Sequence, residues 1–170
     1  TDTMGNDNLR SPLAWKLRCE YDKLSKSSSK SYEAVLHYPV KNIEFDFSRS
    51  RIESEIRSAY ADSSENRIRA HTGQIFTALN KVTLNDLIII PTDRGKLFTI
   101  GIVEKLPRIS LKGDIYFQFS MKRKDIPLSL FEQDLRYSFM AIMKICEVKR
   151  NNAVERLISI SNGADDPGFW

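Results

Sequence analysis

The sequence contains no hydrophobic run long enough to cross a membrane. Its longest apolar stretch is residues 87–91, whereas a membrane-spanning helix needs roughly 18 consecutive apolar residues. The first residues also lack the basic-then-apolar pattern of a secretory signal peptide. We therefore expect an intracellular, cytoplasmic protein with no membrane partner, in which residues 87–91 form a buried strand.

Cysteine and histidine are scarce, with two of each in 170 residues. Cys19 and Cys146 lie far apart within apolar patterns, which favours two buried thiols over a disulfide or a catalytic thiol. Neither His37 nor His71 has a cysteine pair nearby, and this argues against a structural zinc site. The sequence therefore predicts neither a metal site nor a cofactor.

Motifs of catalysis are also missing, because there is no phosphate-cradling glycine-rich loop and no nucleophile elbow. One triplet, Glu147-Val148-Lys149, has the Glu-x-Lys form of metal-dependent nucleases, with Asp134 as a possible second carboxylate. Such triplets arise by chance in a chain with 26 basic and 22 acidic residues. A solvated strand end is the preferred interpretation, and we expect that the domain is not itself an enzyme.

The apolar pattern that is present changes its period along the chain. Alternating apolar positions predict strands at residues 13–20, 33–37, 86–91, 97–104, 114–121 and 141–149. A hairpin turn is predicted at residues 93–96, and the basic residues that follow Met121 are expected to leave the sheet.

Helices are predicted between the early and middle strands and again near the end. Ser48 is expected to cap the first helix, and Ser63 or Ser64 the second. A short helical stretch is predicted from residue 129 to 137, and a last helix begins after Asn151 or Asn152. This order of elements predicts an α+β fold with a small, partly closed barrel and flanking helices.

The length of the chain fits one domain. Polar residues 1–12 are predicted to form a flexible leader, and residues 13–162 the folded domain. Residues 163–170 contain Asp165-Asp166-Pro167-Gly168, and we interpret them as a linker toward a possible further domain.

A net charge of +4 permits contact with phosphates but does not require it. The basic triplet Lys122-Arg123-Lys124 follows an aromatic strand that contains Phe117, and this combination suits a nucleic-acid backbone beside stacked bases. An equally good interpretation places Phe117 in the core and leaves the triplet as an exposed turn.

Arginines surround the two early helices, and Arg49, Arg51 and Arg67 are candidates for phosphate binding. Arg67 stands at the start of the second helix, where the helix N-terminus favours an anion. A solvated helix face paired with Glu53, Glu55 and Glu65 is the alternative.

Several sequence blocks follow one another in a fixed order. They are Gly73-Gln74-Ile75-Phe76, residues 85–91 (Asn-Asp-Leu-Ile-Ile-Ile-Pro), residues 100–103 (Ile-Gly-Ile-Val), Lys124-Asp125-Ile126-Pro127, residues 131–139 and Arg150-Asn151-Asn152-Ala153. In this order the blocks resemble the N-terminal domain of Mrr-type, modification-dependent restriction endonucleases, and the resemblance covers about residues 13 to 169. It implies a PUA-like fold related to EVE and YTH domains, in a prokaryotic protein.

Such domains hold a flipped, modified base in an aromatic pocket, and extrusion of the base costs a few kcal/mol that stacking and hydrogen bonds recover. The resemblance implies a partnership with modified double-stranded DNA and with a downstream nuclease domain, and a homodimer stays open. An RNA or generic nucleic-acid binder, and a regulatory or oligomerisation domain for a small molecule, stay open as alternatives.

The resemblance also implies site residues. Trp15 matches a tryptophan of the first strand, Phe76 stands where relatives have tryptophan, and Met121 replaces another tryptophan. The full set of candidate pocket walls is Trp15, Tyr38, Phe45, Phe47, Phe76 and Phe117. Asp46 and Ser48 are candidates for reading the edge of the base.

Overall fold

The computed structural model describes residues 10–23, 31–43, 46–141, 143–149 and 151–168. Within these ranges, eight strands form one mixed sheet and four helices pack against it. The strands are β1 (Ala14–Leu17), β2 (Glu20–Lys23), β3 (Ser31–His37), β4 (Leu87–Thr92), β5 (Leu97–Val103), β6 (Arg108–Ile109), β7 (Asp114–Pro127) and β8 (Ile145–Glu147). The helices are α1 (Arg49–Ala59), α2 (Glu65–Asn80), α3 (Gln133–Phe139) and α4 (Ala153–Ser161).

The strands follow the order β2-β3-β7-β5-β4-β1-β8, and β6 pairs with β7. The pair β1–β4 is parallel, with Trp15 beside Ile88, and the other pairs are antiparallel. The register of β5 against β7 shifts on both sides of Ile100, and such irregularities bend a strand pair. The sheet curls strongly into a half-barrel. This confirms the predicted α+β class with helices and is compatible with the predicted small, partly closed barrel.

Two hydrophobic cores lie on opposite faces of this sheet. In β4, Ile88 and Ile90 belong to one core while Leu87 and Ile89 belong to the other, because successive strand residues point to opposite faces. Helices α1 and α2 cover the first core, and α3 and α4 cover the second. The continuous apolar run of residues 87–91 therefore has the pattern of a strand buried on both sides.

Two strand predictions need correction. The predicted strand 13–20 is divided into β1 and β2, which pair with different neighbours. The prediction that Lys122-Arg123-Lys124 leaves the sheet is wrong, because β7 continues to Pro127 and its Ile126 pairs with Phe98 of β5. Ile126 is wholly buried in the second core, so the continued pairing of β7 buries an apolar side chain. The basic triplet before Ile126 breaks the apolar alternation in the sequence, and the continuation was therefore not predicted.

The serine caps are confirmed. The hydroxyl of Ser48 accepts a hydrogen bond from the Arg51 amide at 3.3 Å, and that of Ser64 accepts one from the Arg67 amide at 3.2 Å. Asn152 precedes α4 as predicted, although it has a left-handed backbone (φ 62) and its side chain makes no capping bond. The predicted helical stretch 129–137 is a 3-10 turn, Leu128–Leu130, followed by α3.

Both ends of the described chain are tied to the domain. Arg10, in the predicted leader, donates hydrogen bonds to the two carboxylate oxygens of Asp86 at 2.8 and 2.9 Å. Residues 1–9 lie outside the described residues. None of the helices in the described ranges is long and apolar enough to cross a membrane.

The predicted linker is packed against the domain as far as residue 168. Arg156 is 2% exposed and donates to Asp134 at 2.6 and 2.8 Å and to Asp166 at 2.9 and 2.8 Å. Asp166 also accepts a hydrogen bond from the Glu132 amide at 2.8 Å. Because these groups are desolvated and mutually paired, the segment 163–168 is part of the folded unit.

Candidate nucleic-acid interface

A groove of about 420 Å³ runs between α2 and the edge of the sheet formed by β1 and β8. We call it the α2 groove, and its central lining consists of Trp15, Gly73, Gln74, Thr77, Ile145 and Glu147. Its volume lies in the range of small-molecule and cofactor sites, roughly 300–1,000 Å³. The groove combines β1 with the Gly73-Gln74 block, two features that the sequence keeps far apart.

Trp15 lies at the bottom of this groove and is 2% exposed. Its indole Nε1 donates to Asp86 at 2.7 Å, and Asp86 also accepts from Arg10 and from the amides of Leu13 and Thr83. Burial alone would raise the pKa of Asp86, but these hydrogen bonds outweigh burial and leave its pKa below the ordinary value. The carboxylate therefore fixes the orientation of the indole, and very little of this side chain is accessible from the groove.

Gly73 leaves open space in the middle of α2. A Cβ atom added at this position would meet no atom within 4 Å. Glycine inside a helix is less favourable than alanine by about 1 kcal/mol, and here no neighbouring group requires it. The consequence of glycine at this position is an unobstructed stretch of the groove wall.

The mouth of the groove is positively charged. Arg49, Arg69, Lys81 and Lys149 line it together with one carboxylate, Glu147. Among the residues that the structure describes, only Lys149 of these four has a carboxylate within 4 Å, which is Glu147 at 3.8 Å. Exposed cations with few anionic partners are suited to phosphate oxygens.

Phe76 contributes to this mouth indirectly. The guanidinium of Arg49 lies 4.5 Å from the centre of the Phe76 ring, a cation–π geometry. Phe76 is partly buried against the first core. Its role in the structure is therefore to support an arginine at the mouth.

An aromatic cluster adjoins the groove through Gln74. The Tyr38 hydroxyl donates to Gln74 Oε1 at 2.9 Å, and the Lys144 amide donates to the same oxygen at 3.2 Å. The His71 ring stacks on Tyr60 with centroids 4.9 Å apart and meets Tyr38 edge-on at 6.3 Å. The Lys144 ammonium lies 4.8 Å from the centre of the Tyr38 ring.

His71 Nδ1 is buried and has no hydrogen-bond partner among the described residues. Burial lowers the pKa of His71, with smaller contributions from Arg67 and Lys144, so the neutral ring is favoured. An unsatisfied buried polar atom costs about 1–3 kcal/mol. The cluster thus contains a polar atom for which the protein itself supplies no partner.

The predicted pocket walls are dispersed. Phe117 is wholly buried in the first core, so its proposed stacking role is corrected to core packing. Tyr38 is also fully buried, in the aromatic cluster. Phe47 is half-buried, and its carbonyl accepts a hydrogen bond from Asn80 at 2.9 Å. Phe45 lies outside the described residues.

The two predicted base-edge residues form the start of α1. Asp46 Oδ1 accepts from the Ser48 amide at 3.0 Å, and this bond together with the Ser48 hydroxyl lowers the pKa of Asp46. The Ser48 hydroxyl in turn caps the helix. Both side chains are exposed, but their hydrogen bonds serve the helix end.

The predicted phosphate-binding residues do not form one patch. Arg51 pairs with Glu55 at 2.6 Å, and the guanidinium of Arg67 lies 5.3 Å from the centre of the Tyr60 ring. Arg123 donates to the carbonyls of Ile160 and Ala164 at the end of α4. Lys122 and Lys124 are exposed on the other face of β7, because adjacent strand residues alternate.

Several groove residues were not predicted. Arg69 and Lys81 lie in α2 and directly at its end, whereas Lys149 follows β8, and only the tertiary structure brings these two distant segments to one groove. Gly73 does carry a signal, because a glycine inside an otherwise helical pattern calls for a packing or functional reason.

The remaining chemical predictions concern thiols and carboxylates. Cys19 and Cys146 are both free, and burial raises the pKa of Cys19 to about 12, which favours the neutral thiol. Asp134, the suggested second carboxylate of a nuclease site, is instead paired with Arg156. No group of three or more His, Cys, Asp or Glu side chains in the described ranges is arranged to hold a metal ion.

Fold and groove together define an α+β domain with a half-barrel sheet and a cationic groove along one helix. A comparison with protein-family models found no match, and searches of curated proteins and of solved structures found no significant similarity.

Proposed function

We propose that this chain is a DNA-recognition module that holds a modified base, turned out of the duplex, in the α2 groove. The observation that carries the proposal is the combination of four cations at the mouth with an open wall at Gly73 and the nearly buried Trp15 in the lining. Cations bind the phosphates on either side, while the groove accepts the extruded base.

Gln74 is the residue best suited to read the edge of that base. Its Oε1 already accepts hydrogen bonds from Tyr38 and Lys144, which orients the amide. Its Nε2 donates no hydrogen bond to the described residues and lines the same groove. An oriented amide that rejects bases lacking the matching acceptor discriminates more strongly than apolar fit alone.

The resemblance to Mrr-type restriction endonucleases supports the same proposal. Its first block places Gly73 and Gln74 in the wall of the groove, and Trp15 lies at the bottom. A PUA-like domain of this kind would target a nuclease, fused downstream in the same polypeptide, to marked foreign DNA. A single-stranded RNA ligand is the alternative that the same groove chemistry allows.

Fluorescence anisotropy with short duplexes that differ in one base tests the proposal. The probes carry cytosine, 5-methylcytosine, 5-hydroxymethylcytosine, its glucosylated form or N6-methyladenine, and a single-stranded RNA of the same sequence is added. We expect one modified duplex to bind at least about tenfold more tightly than the unmodified one, about 1.4 kcal/mol. Equal affinity for all duplexes would contradict recognition of a modified base.

Variants assign the binding to the groove. Trp15→Ala is unsuitable because it would empty the core, so Arg49→Ala and Arg69→Ala are used instead. Each is expected to weaken binding severalfold and to make the dependence of log K on log salt shallower by about 0.9. Arg108→Ala removes the same charge on β6, outside the groove, and is expected to leave the modified-base preference unchanged.

A further inference from the structure

A second, larger cleft lies away from the α2 groove. It encloses about 1060 Å³ between the ends of β1 and β4, the hairpin 93–95 and the end of α3. It shares no lining residue with the α2 groove. Trp15 and Lys16 are adjacent on β1 and therefore point to opposite faces, one into each cavity. We call this cavity the hairpin cleft.

Four cations line the hairpin cleft, and two carboxylates accompany them. The cations are Lys16, Arg18, Arg94 and Arg136, and the carboxylates are Glu20 and Asp93. Lys16, Arg94 and Arg136 by themselves outnumber the two carboxylates, and this positive charge favours an anionic ligand.

Lys16 is the least expected of these cations because it is 1% exposed. Its ammonium donates to the carbonyls of Ala141 and Met143, and among the described residues no carboxylate lies within 4 Å of it. Two of its three donors are thus used on neutral oxygens. A buried ammonium without a counter-ion is stabilised by an anion that enters the cleft beside it.

Two arginines, Arg94 and Arg136, line the same cleft as Lys16. Arg136 donates through Nε to the Phe131 carbonyl at 2.6 Å, which fixes the side chain and leaves Nη1 without a hydrogen bond among the described residues. Arg94 stands in the β4–β5 hairpin with a left-handed backbone (φ 57), directly after Asp93 (φ 49). The Lys96 amide donates to the Asp93 carbonyl at 3.1 Å. This tight hairpin turn accounts for the left-handed backbone and brings the exposed Arg94 into the lining of the cleft.

The wall of the cleft is apolar and aromatic. Phe98 and Phe139 lie with ring centroids 4.9 Å apart and are both buried, and Met140 beside them is 70% exposed. Tyr21 also lines the cleft and hydrogen-bonds Thr99 at 2.8 Å. A planar ring suits such a wall, and guanidinium groups suit phosphate oxygens.

We propose that the hairpin cleft binds a phosphate-bearing ligand with a planar ring, which is the chemistry of a nucleotide. Arg94 and Arg136 would hold the phosphates, Lys16 would neutralise the charge at depth, and the ring would lie against Phe139 and Met140. The nucleotide can be a free molecule or one residue of a nucleic-acid strand. The proposal does not depend on the function assigned to the α2 groove.

Isothermal titration calorimetry of the full chain tests this, with AMP, ATP, pyrophosphate and a single-stranded oligonucleotide as probes. We expect ATP to bind and AMP to bind more weakly if the ligand is a free nucleotide. Binding of the oligonucleotide alone would identify the strand as the source. No binding of any probe at millimolar concentration would overturn the proposal.

Substitutions in the lining of the hairpin cleft test whether the binding heat measured by calorimetry arises there. Arg94→Asn removes the charge while keeping a residue that tolerates the left-handed turn, and Arg136→Gln removes the second cation. Each is expected to weaken binding at least tenfold, whereas Arg108→Ala on β6, which lines neither cavity, has no effect. Undiminished binding by folded Arg94→Asn and Arg136→Gln proteins would also overturn the proposal. Thermal melting shows which variants are folded, and Arg94→Lys, which keeps the charge, is expected to restore most of the affinity.

Discussion

Gly73 has a cost and no structural benefit that the described residues show. It lies within a sixteen-residue helix, and a methyl group at its Cα would contact nothing. Residues that lower stability without a packing reason are frequently retained for function. At the residue scale, substitutions of Gly73 therefore test whether α2 has a binding role or a purely structural one.

Gly73→Ala is expected to raise the free energy of unfolding by up to about 1 kcal/mol, because alanine is the better helix former. The larger Gly73→Leu is expected to obstruct the α2 groove and to weaken binding of the preferred DNA duplex at least severalfold. Chemical denaturation and fluorescence anisotropy measure the two effects.

A matched control is Gly163→Ala, beyond the end of α4. Gly163 has a positive φ of 103, so alanine is expected to destabilise the fold there without affecting DNA binding. Full affinity of the Gly73→Leu variant would refute the proposed use of the groove.

At the scale of secondary-structure elements, Gly101 sets how closely β5 and β7 approach each other. A Cβ atom at this position would lie 2.2 Å from Cδ2 and 2.9 Å from Cε2 of Phe119. Phe119 is wholly buried, so its ring has little room to move. Glycine is therefore required at position 101 because the Phe119 ring of β7 occupies the space that a Cβ atom on β5 would need.

Gly101→Ala is expected to lower the free energy of unfolding by about 1–3 kcal/mol through overpacking. This is opposite in sign to the effect of Gly73→Ala, although the chemical change is identical. Urea denaturation of both variants measures the difference. Equal stability of the wild type and Gly101→Ala would show that the β5–β7 contact is looser than described.

The C-terminal segment is a second element that one residue secures. Asp166 is buried and shares the Arg156 guanidinium with Asp134. Removal of Asp166 leaves Arg156 paired with Asp134, but it takes the acceptor from Arg156 Nε and from the Glu132 amide. Each buried donor left without a partner costs about 1–3 kcal/mol. The segment 163–168 therefore contributes to the stability of the whole domain.

Asp166→Ala is expected to lower the free energy of unfolding by about 3 kcal/mol. Asp165→Ala, the exposed neighbour, serves as the control and is expected to change it by less than about 0.5 kcal/mol. Guanidinium denaturation monitored by tryptophan fluorescence makes the comparison. Indistinguishable midpoints would mean that the tail does not hold Arg156.

At the scale of the whole molecule, the buried ionisable groups predict how stability depends on pH. Hydrogen bonds from Arg156 hold the pKa of Asp134 well below its usual range, and the pKa values of Asp86 and Asp166 are lowered by their hydrogen bonds despite burial. Burial also lowers the pKa of His71. In each case the unfolded chain binds protons at a higher pH than the folded one.

The free energy of unfolding is therefore expected to decline as pH falls below about 6.5, where His71 begins to titrate in the unfolded chain. It declines more steeply below about 4, where the unfolded carboxyls take up protons. Urea midpoints from pH 7 to pH 3 measure the curve. The variant Asp166→Asn removes one titrating group, so its curve is expected to be shallower below pH 4. A midpoint that rises on acidification would contradict these shifts.

Much of the secondary structure was predictable because its signals are local. Ser48 and Ser64 cap helices through bonds to amides three residues ahead, and the apolar run 87–91 has the length of a buried strand. The hairpin at residues 93–96 follows from short-range turn chemistry in the same way. The continuation of β7 was not predicted because the basic triplet interrupts the apolar alternation, and only one buried residue, Ile126, follows it in the strand.

The candidate site depended on tertiary structure. Trp15 was a predicted pocket wall, and Gln74 belongs to one block of the resemblance. The surrounding Arg69 and Lys81 from α2 and Lys149 after β8 come together only when α2 packs beside β1 and β8. Arg123 is adjacent to two exposed lysines in the chain, yet it serves the end of α4.

The sequence by itself determined the α+β class, the helix caps and the central buried strand, because each depends on residues within a few positions of one another. Tertiary structure alone decided which cations share a groove, which aromatics fill the core and how the tail is held. Arg156 meets carboxylates 22 residues before it and 10 residues after it. Such contacts arise from packing two cores on one curled sheet, and no period in the sequence encodes them.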